Sequence, residues 1–168
     1  MNNNLLILGA GMYGCVVKET AMAMGIFDKI SFVDDNCTRE DVVGTTDMLG
    51  ELSCKYRYCI VAIGNLTVRR ELFSLISELG YEIPTLVHPR AYMSPSAKIG
   101  RGTVIEPMAV VHSNANVGNG CLICAGSIVN HNADIGDFCQ IDCNAVIGAA
   151  ASVPARTKIM YGEIVAKN

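Results

Sequence analysis

Written six residues to a group, positions 99–159 read IGRGTV IEPMAV VHSNAN VGNGCL ICAGSI VNHNAD IGDFCQ IDCNAV IGAAAS VPARTK I. Every group begins with Ile or Val, and the fifth residue of every complete group is Thr, Ala, Cys or Ser. A six-residue period matches neither the 3.6-residue repeat of an α-helix nor the alternation of a β-strand. It is typical of a hexapeptide β-helix, in which each group forms one side of a triangular coil.

The two columns of this repeat explain how the coil fills its interior. One branched aliphatic from each side occupies the centre, and the small residue lets the chain turn the corner. Three groups complete a coil, so residues eighteen apart stack, and Cys121 falls between Thr103 and Cys139. This stacking explains the CxxC spacing of Cys121 and Cys124 more simply than zinc does, so we expect no metal. A narrow bore also agrees with the absence of Trp from the sequence.

The first half of the chain alternates strand and helix patterns. Apolar runs at 4–8, 29–33 and 58–63 predict three strands, and helical periodicity at 15–24 and 68–79 predicts two helices that each end at a glycine. Strands that alternate with helices indicate a small parallel sheet with helices on its faces. We therefore predict an α/β domain over 1–85, which precedes the β-helix domain over 86–168.

Composition excludes several classes of protein. The 168 residues carry a formal net charge of −3, and the 13 Lys and Arg form no basic run, so we expect no nucleic-acid partner. No segment reaches the roughly 18–20 apolar residues that a membrane span needs. The N-terminus lacks the positive region of a secretory signal, so we expect a cytoplasmic protein whose eight Cys are mostly free thiols.

A glycine loop follows the first predicted strand. Residues 9–14 (GAGMYG) fit GxGxxG, and Asp34 follows Gly14 by twenty residues at a predicted strand end, which is a fair NAD fingerprint. A dinucleotide needs two mononucleotide-binding halves, and about one precedes the repeat. A single half suits a mononucleotide such as UDP better, with the helix N-terminus toward phosphate and acidic side chains toward ribose or uracil. NAD binding remains an alternative.

Six segments in order resemble one family, the sugar acetyltransferases of the sialic-acid O-acetyltransferase and bacillosamine-pathway N-acetyltransferase type. The segments are 6–17 (LILGAGMYGCVV), 32–36 (FVDDN), 60–65 (IVAIGN), 86–89 (LVHP), 94–97 (SPSA), and 127–132 (SIVNHN) with 135–138 (IGDF). The resemblance implies that the first domain is Rossmann-like and binds a UDP-sugar. It also implies that the β-helix is left-handed, assembles as a homotrimer, and binds acetyl-CoA between subunits.

The same resemblance implies a reaction and residues for it. The reaction is transfer of acetyl from acetyl-CoA to an amino or hydroxyl group of a nucleotide-linked sugar, such as a UDP-amino sugar, in surface-glycan biosynthesis. His131 matches the catalytic histidine, a general base that suits proton removal at pH 7. Gln140 and Gly148 match positions near the acetyl group, Gly148 through its backbone N–H. The residues that match the nucleotide-sugar site are Met12, Tyr13, Gly14, Asp34, Asp35, Gly64 and Asn65.

Several departures from the family pattern bear on activity. Asn132 stands where the family places an acid beside the catalytic histidine, unless Asp134 or Asp142 substitutes for it. Gln140 replaces a second histidine, although its amide can still donate a hydrogen bond to a carbonyl. Met12 and Tyr13 replace Gly-His in a loop that faces the sugar in the family. His88 and His112 match no catalytic position and are interpreted as structural.

The C-terminal end is the largest departure. We expect residues after Thr157 to form a tail where family members continue with further coils, which help to form the CoA groove. A second alternative is therefore a non-catalytic trimeric protein that binds a nucleotide sugar and has lost CoA binding. Which sugar is acetylated, and whether on nitrogen or oxygen, stays open.

Overall fold

The chain divides into two compact units, of which the first ends at Pro84 and the second begins at Thr85. A three-stranded parallel sheet forms the centre of the first unit. The computed structural model describes residues 2–167. Strand β1 (Leu5–Leu8) lies between β2 (Ile30–Val33) and β3 (Tyr58–Val61). All four residues of β1 are fully buried. Such a continuous apolar run is expected of the central strand of a parallel sheet.

Helices connect these strands. Helix α1 (Met12–Met24) joins β1 to β2, a 3₁₀ turn (Thr46–Met48) and the short α2 (Leu49–Leu52) precede β3, and α3 (Leu66–Glu78) follows it. Both long helices begin earlier than their apolar runs predicted, because their first turns carry polar or exposed residues. The 3₁₀ turn and α2 were not predicted, since they are too short to show helical periodicity.

Three parallel sheets of two-residue strands enclose the second unit. The strands are β4 (Leu86–Val87), β5 (Tyr92–Met93), β6 (Lys98–Ile99), β7 (Val104–Ile105), β8 (Val110–Val111), β9 (Asn116–Val117), β10 (Leu122–Ile123), β11 (Ile128–Val129), β12 (Asp134–Ile135), β13 (Gln140–Ile141), β14 (Val146–Ile147), β15 (Ser152–Val153), β16 (Lys158–Ile159) and β17 (Ile164–Val165). The first face contains β4, β7, β10, β13 and β16, the second β5, β8, β11, β14 and β17, and the third β6, β9, β12 and β15.

The register confirms the predicted coil of three groups. Leu122 pairs with Val104 on one side and with Gln140 on the other, eighteen residues away in each direction. The aliphatic column and the small-residue column together form the core of this unit. Cys121 and Cys139 are fully buried in it, and their thiols donate to the carbonyls of Gly136 and Pro154 at 3.2 and 3.1 Å. Within residues 2–167, no cluster of side chains is suited to hold a metal ion.

The β-helix extends on both sides of the columns counted over 99–159, within the domain predicted over 86–168. It begins with β4 and β5, where Val87 and Met93 extend the aliphatic column, and the tail expected after Thr157 instead forms β16 and β17. The sequence pattern did not predict the last coil, because Glu163 occupies a position of the small-residue column where every earlier group has Thr, Ala, Cys or Ser. Glu163 is exposed, and its carboxylate accepts a hydrogen bond from the N–H of Met160 at 2.9 Å, so it turns outward at the corner.

The corners of the prism use left-handed backbone. Glycine supplies this conformation at some corners, such as Gly120 and Gly126, and asparagine at others, including Asn114, Asn132 and Asn144. Asn tolerates positive φ better than most residues that have a Cβ.

In the described part of the chain, no helix is both long and apolar enough to cross a membrane.

The aliphatic column generates a stability prediction. Ile123 is fully buried in the bore, so Ile123→Ala is expected to destabilise the β-helix by about 2–5 kcal/mol through lost contacts and a residual cavity. Ile164→Ala removes the same atoms in the same unit from a side chain that is 73% exposed, and should change stability by less than about 0.5 kcal/mol. Urea unfolding followed by circular dichroism at one protein concentration would measure both. Equal losses would contradict the assignment of the bore.

Candidate active site

A cavity of about 270 Å³ lies at the carboxyl ends of β1, β2 and β3. Its lining combines the apolar side chains of Ile63, Val68 and Leu72 with the carboxylates of Asp34 and Asp35. The carboxyl edge of a parallel α/β sheet is where such folds bind ligands. The described sheet contains one β-α-β-α-β unit, which is one mononucleotide-binding half.

Asp34 fixes the glycine loop to the end of β2. Its Oδ2 accepts from the N–H of Ala10 at 2.7 Å and its Oδ1 from the N–H of Asn36 at 2.9 Å. The bond from Ala10 is the main reason that the pKa of Asp34 lies below its ordinary value. A carboxylate has about four acceptor positions, so Asp34 retains capacity for a ligand hydroxyl.

Asp35 anchors the segment that leads into α2. Its carboxylate accepts from the backbone N–H of Thr46 at 2.8 Å and from the Thr46 hydroxyl at 2.9 and 3.0 Å. Asp35 is exposed and lines the cavity together with Thr46. The two predicted acidic residues are therefore brought together, and each already orders a loop of the cavity.

The glycine loop packs tightly against the helix that follows. A Cβ on Gly14 would lie 2.1 Å from the carbonyl oxygen of Gly9, and Gly9 itself has φ +104°. Gly11 is the N-cap residue of helix α1 and has no side chain to cap it, so the first N–H groups of the helix can face an anion. Met12 is 92% exposed in the first turn and Tyr13 is half-buried beside it. Neither belongs to the cavity lining.

Two arginines that the sequence analysis missed hold the loops of this edge. Arg69 is 2% exposed and donates to the carbonyls of Ile63 and Gly64 at 3.0 Å each. Arg39 donates to the carbonyl of Ala10 at 3.1 Å and pairs with Asp41. The sequence carried no signal for Arg69, because an arginine in an amphipathic helix is normally an exposed polar residue. Its burial became evident only in the structure.

Gly64 and Asn65 connect β3 to α3. Asn65 is the N-cap residue of α3, and its Oδ1 accepts from the N–H of Val68 at 3.1 Å. Gly64 is exposed, and a Cβ there would meet no atom within 4 Å. Asn65 therefore has a structural role of its own, in addition to the substrate role predicted for it.

His131 lies at the corner between the second and third faces, after β11. Its ring is exposed, and its Nδ1 is 2.9 Å from Nδ2 of Asn132. An amide that donates to Nδ1 leaves the ring hydrogen on Nε2. Rotation of the amide by 180° places Oδ1 of Asn132 against an Nδ1–H and frees the Nε2 lone pair to accept a proton. Asn132 can therefore orient the imidazole as an acid would, without supplying a negative charge.

Gly148 shares this corner with His131. It follows β14 one coil above Asn130, and Ala150 donates its N–H to the carbonyl of His131 at 2.9 Å. The N–H of Gly148, however, donates to the carbonyl of Val165 at 2.7 Å. This N–H is therefore already hydrogen-bonded to β17, and its contact with the acetyl carbonyl stays a prediction. What Gly148 can contribute is its lack of a side chain.

Gln140 lies on a different side of the prism from His131. It belongs to β13 on the first face, which is opposite the corner between the second and third faces. The apolar bore separates the two side chains within one subunit. Of the predicted acetyl-transfer residues, a single chain thus brings together His131 and Gly148 but not Gln140.

The remaining candidates have local roles. Nδ1 of His88 accepts from the N–H of Arg90 at 3.0 Å, and the His112 ring contacts Tyr92 with centroids 6.1 Å apart. Asp134 is exposed on the third face, whereas Asp142 is buried on the first. Neither carboxylate stands at the corner of His131 in the same chain, so neither replaces the absent acid there.

The close packing of Gly14 gives a second prediction. Gly14→Ala is expected to destabilise the first unit by about 1–3 kcal/mol, because the added methyl group would have to displace the Gly9 carbonyl. Gly50→Ala in α2 is the matched control, since a Cβ there meets no atom within 4 Å and Ala favours a helix. Thermal unfolding of both variants checks the difference, and an unaffected Gly14→Ala protein would overturn this account of the loop.

Known proteins resemble both units. The family described as "PglD N-terminal domain" matches residues 4–76. UDP-N-acetylbacillosamine N-acetyltransferase from Bacillus subtilis (strain 168) is 31% identical over 110 residues, which cover 60% of this chain. The alignment spans about half the length of that curated relative, 50%.

Solved structures extend the similarity to nearly the whole chain. The acetyltransferase domain of PglB from Neisseria gonorrhoeae FA1090, in complex with acetyl coenzyme A, is 31% identical with a TM-score of 0.84, over 99% of this chain and 89% of that one. A mutant perosamine N-acetyltransferase from Caulobacter crescentus, in complex with CoA and GDP-perosamine, shares the fold at 23% identity and a TM-score of 0.85, over 98% and 89%. The predicted fold class is thereby confirmed, and the chain belongs to the PglD- and PglB-type family of sugar acetyltransferases with a left-handed β-helix.

Proposed function

We propose that this protein transfers the acetyl group of acetyl-CoA to the amino group of a nucleotide-linked sugar. The observation that carries the proposal is the match of 99% of the chain, at 31% identity, to an acetyltransferase domain in complex with acetyl coenzyme A. The curated relative that is 31% identical is named for N-acetylation of a UDP-sugar, which favours a UDP-amino sugar and nitrogen over oxygen as the acceptor.

The cavity at the carboxyl edge of the first unit is the proposed nucleotide site. Asp34 and Asp35 offer acceptors for ribose or base hydrogens, and the apolar side chains of Ile63 and Leu72 offer a surface for a flat base. We assign two further segments to the phosphates and the sugar. They are the uncapped start of α1, with Met12, Tyr13 and Gly14, and the connection formed by Gly64 and Asn65.

The proposed reaction needs a base and a donor for the developing oxyanion. The sugar amine attacks the thioester carbonyl, and Nε2 of His131 takes the proton that the amine loses. Asn132 holds the opposite ring nitrogen through its amide oxygen. The amide of Gln140 donates a hydrogen bond to the tetrahedral oxyanion. When the C–S bond breaks, the CoA thiolate leaves, and the proton on His131 returns to that sulfur.

The positions of these residues support an assembly of several subunits, for which we propose the homotrimer that the family resemblance implies. Gln140 is on the face opposite the corner of His131, so one chain cannot place both at one acetyl group. A ring of three subunits that sets the first face of one against this corner of the next would bring them together. We therefore propose that each active site takes His131 from one subunit and Gln140 from its neighbour.

A histidine comparison tests the proposed function. His131→Ala should lower kcat for a UDP-amino sugar by about 10²–10⁴-fold, as expected for loss of a general base. His88→Ala is the matched control, because His88 makes a local backbone contact and should retain wild-type kcat. The rate of thiol release from acetyl-CoA measures kcat for both variants. The same assay with the corresponding UDP-hydroxy sugar as the acceptor distinguishes N-acetylation from O-acetylation. Wild-type turnover by His131→Ala, or no turnover by the unmodified protein, would overturn the proposal.

Mixing two inactive variants tests the shared site. His131→Ala and Gln140→Ala subunits, unfolded and reassembled in equal amounts, should recover about a quarter of wild-type activity, since each mixed trimer contains one junction with both native residues. Reassembly of His131→Ala with His131→Gln is the control and should recover none. Absence of rescue in verified mixed trimers would place both residues in one subunit and contradict the shared site.

A further inference from the structure

The first face of the β-helix carries a buried carboxylate that the proposed reaction does not use. Asp142 is 1% exposed and follows Ile141 of β13, so it points to the same side of the strand as Gln140. An ionised carboxylate in such a place is destabilising unless it is paired and hydrogen-bonded. Its partners therefore indicate what it is for.

Oδ1 of Asp142 accepts a hydrogen bond from Nε2 of Gln140 at 2.6 Å. A carboxylate can only accept, so the nitrogen of the Gln140 amide, and not its oxygen, must face it. The orientation of this amide is thereby determined by its partner. One N–H is bound to Asp142, and the other keeps a fixed direction from which it can donate to a ligand.

Oδ2 of Asp142 lies 3.2 Å from Nζ of Lys158, which stands one coil above Gln140 as its register partner. The geometry is that of an ion pair without a hydrogen bond, because Oδ2 has no hydrogen-bond partner among the described residues. Below Asp142 lies Cys124, whose thiol is neutral, since burial and the carboxylates of Glu106 and Asp142 raise its pKa. Lys158 thus provides the counter-charge for Asp142.

We propose that Asp142 is a positioning residue that holds the amide of Gln140 in the orientation needed to donate to the acetyl carbonyl oxygen. This rests on the proposed function, in which Gln140 faces the acetyl group of a neighbouring subunit's site. A free glutamine side chain would have to be ordered in each turnover, and its amide oxygen would repel the oxyanion in half of its orientations. Asp142 removes both problems before the substrate binds.

A double-mutant cycle tests this inference. Gln140→Ala should lower kcat about 10²-fold, as loss of one oxyanion donor does. Asp142→Ala should lower kcat by roughly 10-fold with little change in KM for acetyl-CoA, since the donor remains but is no longer oriented. The double variant should be no slower than Gln140→Ala, because Asp142 acts only through Gln140.

A conservative variant separates orientation from charge. In Asp142→Asn/Lys158→Met, the asparagine oxygen can still accept from Gln140 and no unpaired charge remains, so most of the kcat lost in Asp142→Ala should return. This variant also serves if Asp142→Ala does not fold, which thermal unfolding will show. Additive losses in the cycle, or no recovery in the conservative variant, would make Asp142 merely structural and overturn the inference while leaving the proposed function intact. A wild-type protein that transfers no acetyl would overturn both.

Discussion

The bore of the β-helix requires one branched aliphatic side chain from every group of six, and the rest of the second unit follows from this requirement. It fixes eighteen residues to a coil, so that each residue stacks on those eighteen before and after it. It requires a corner after every strand, and the corners from Gly102 to Gly162 have left-handed backbone, mostly at Gly or Asn and otherwise at Met108, Phe138, Ala150 and Arg156. Every candidate functional residue of this unit is therefore assigned to a face or a corner by its position in the sequence, before any side-chain contact is considered.

This constraint explains why a complete acetyl-transfer site would need more than one subunit. His131 and Gln140 are nine residues apart, which is half a coil, so they lie on opposite sides of the same prism. Their separation in sequence is short, yet the packed aliphatic column lies between them. A β-helix cannot bend to bring them together without opening its core. In the proposed reaction, a second copy of the chain would supply the Gln140 side chain.

The sequence predicted the coil well because the repeat depends only on residue spacing along the chain, and a periodic column of aliphatic residues can be counted directly. It predicted the last coil poorly, since Glu163 breaks the small-residue column although the backbone continues. The bond from the N–H of Gly148 to Val165 also depends on this last coil, so the repeat pattern could not reveal it. In the first unit, the strands and long helices were predicted, whereas the bonds from Arg69 to Gly64 and from Ala10 to Asp34 were not. Such contacts join residues whose proximity depends on the finished loops, and no periodicity encodes them.

The polar residues around the two candidate sites share one property, which is that most are already bound to the protein itself. Asp34 holds Ala10, Asp35 holds Thr46, and Asp142 holds Gln140. Groups that are fixed in advance need not be reorganised when charge develops on a ligand, and that is where an enzyme gains most over water. Asn132 fits the same logic. Its side-chain nitrogen lies 2.9 Å from Nδ1 of His131, and in the proposed reaction its amide would orient the imidazole without carrying a charge, so the charge change on proton transfer would fall on the imidazole alone. Asn132 also has a positive φ, a backbone conformation that asparagine adopts readily, so the residue that would orient the imidazole also suits the corner on which it stands.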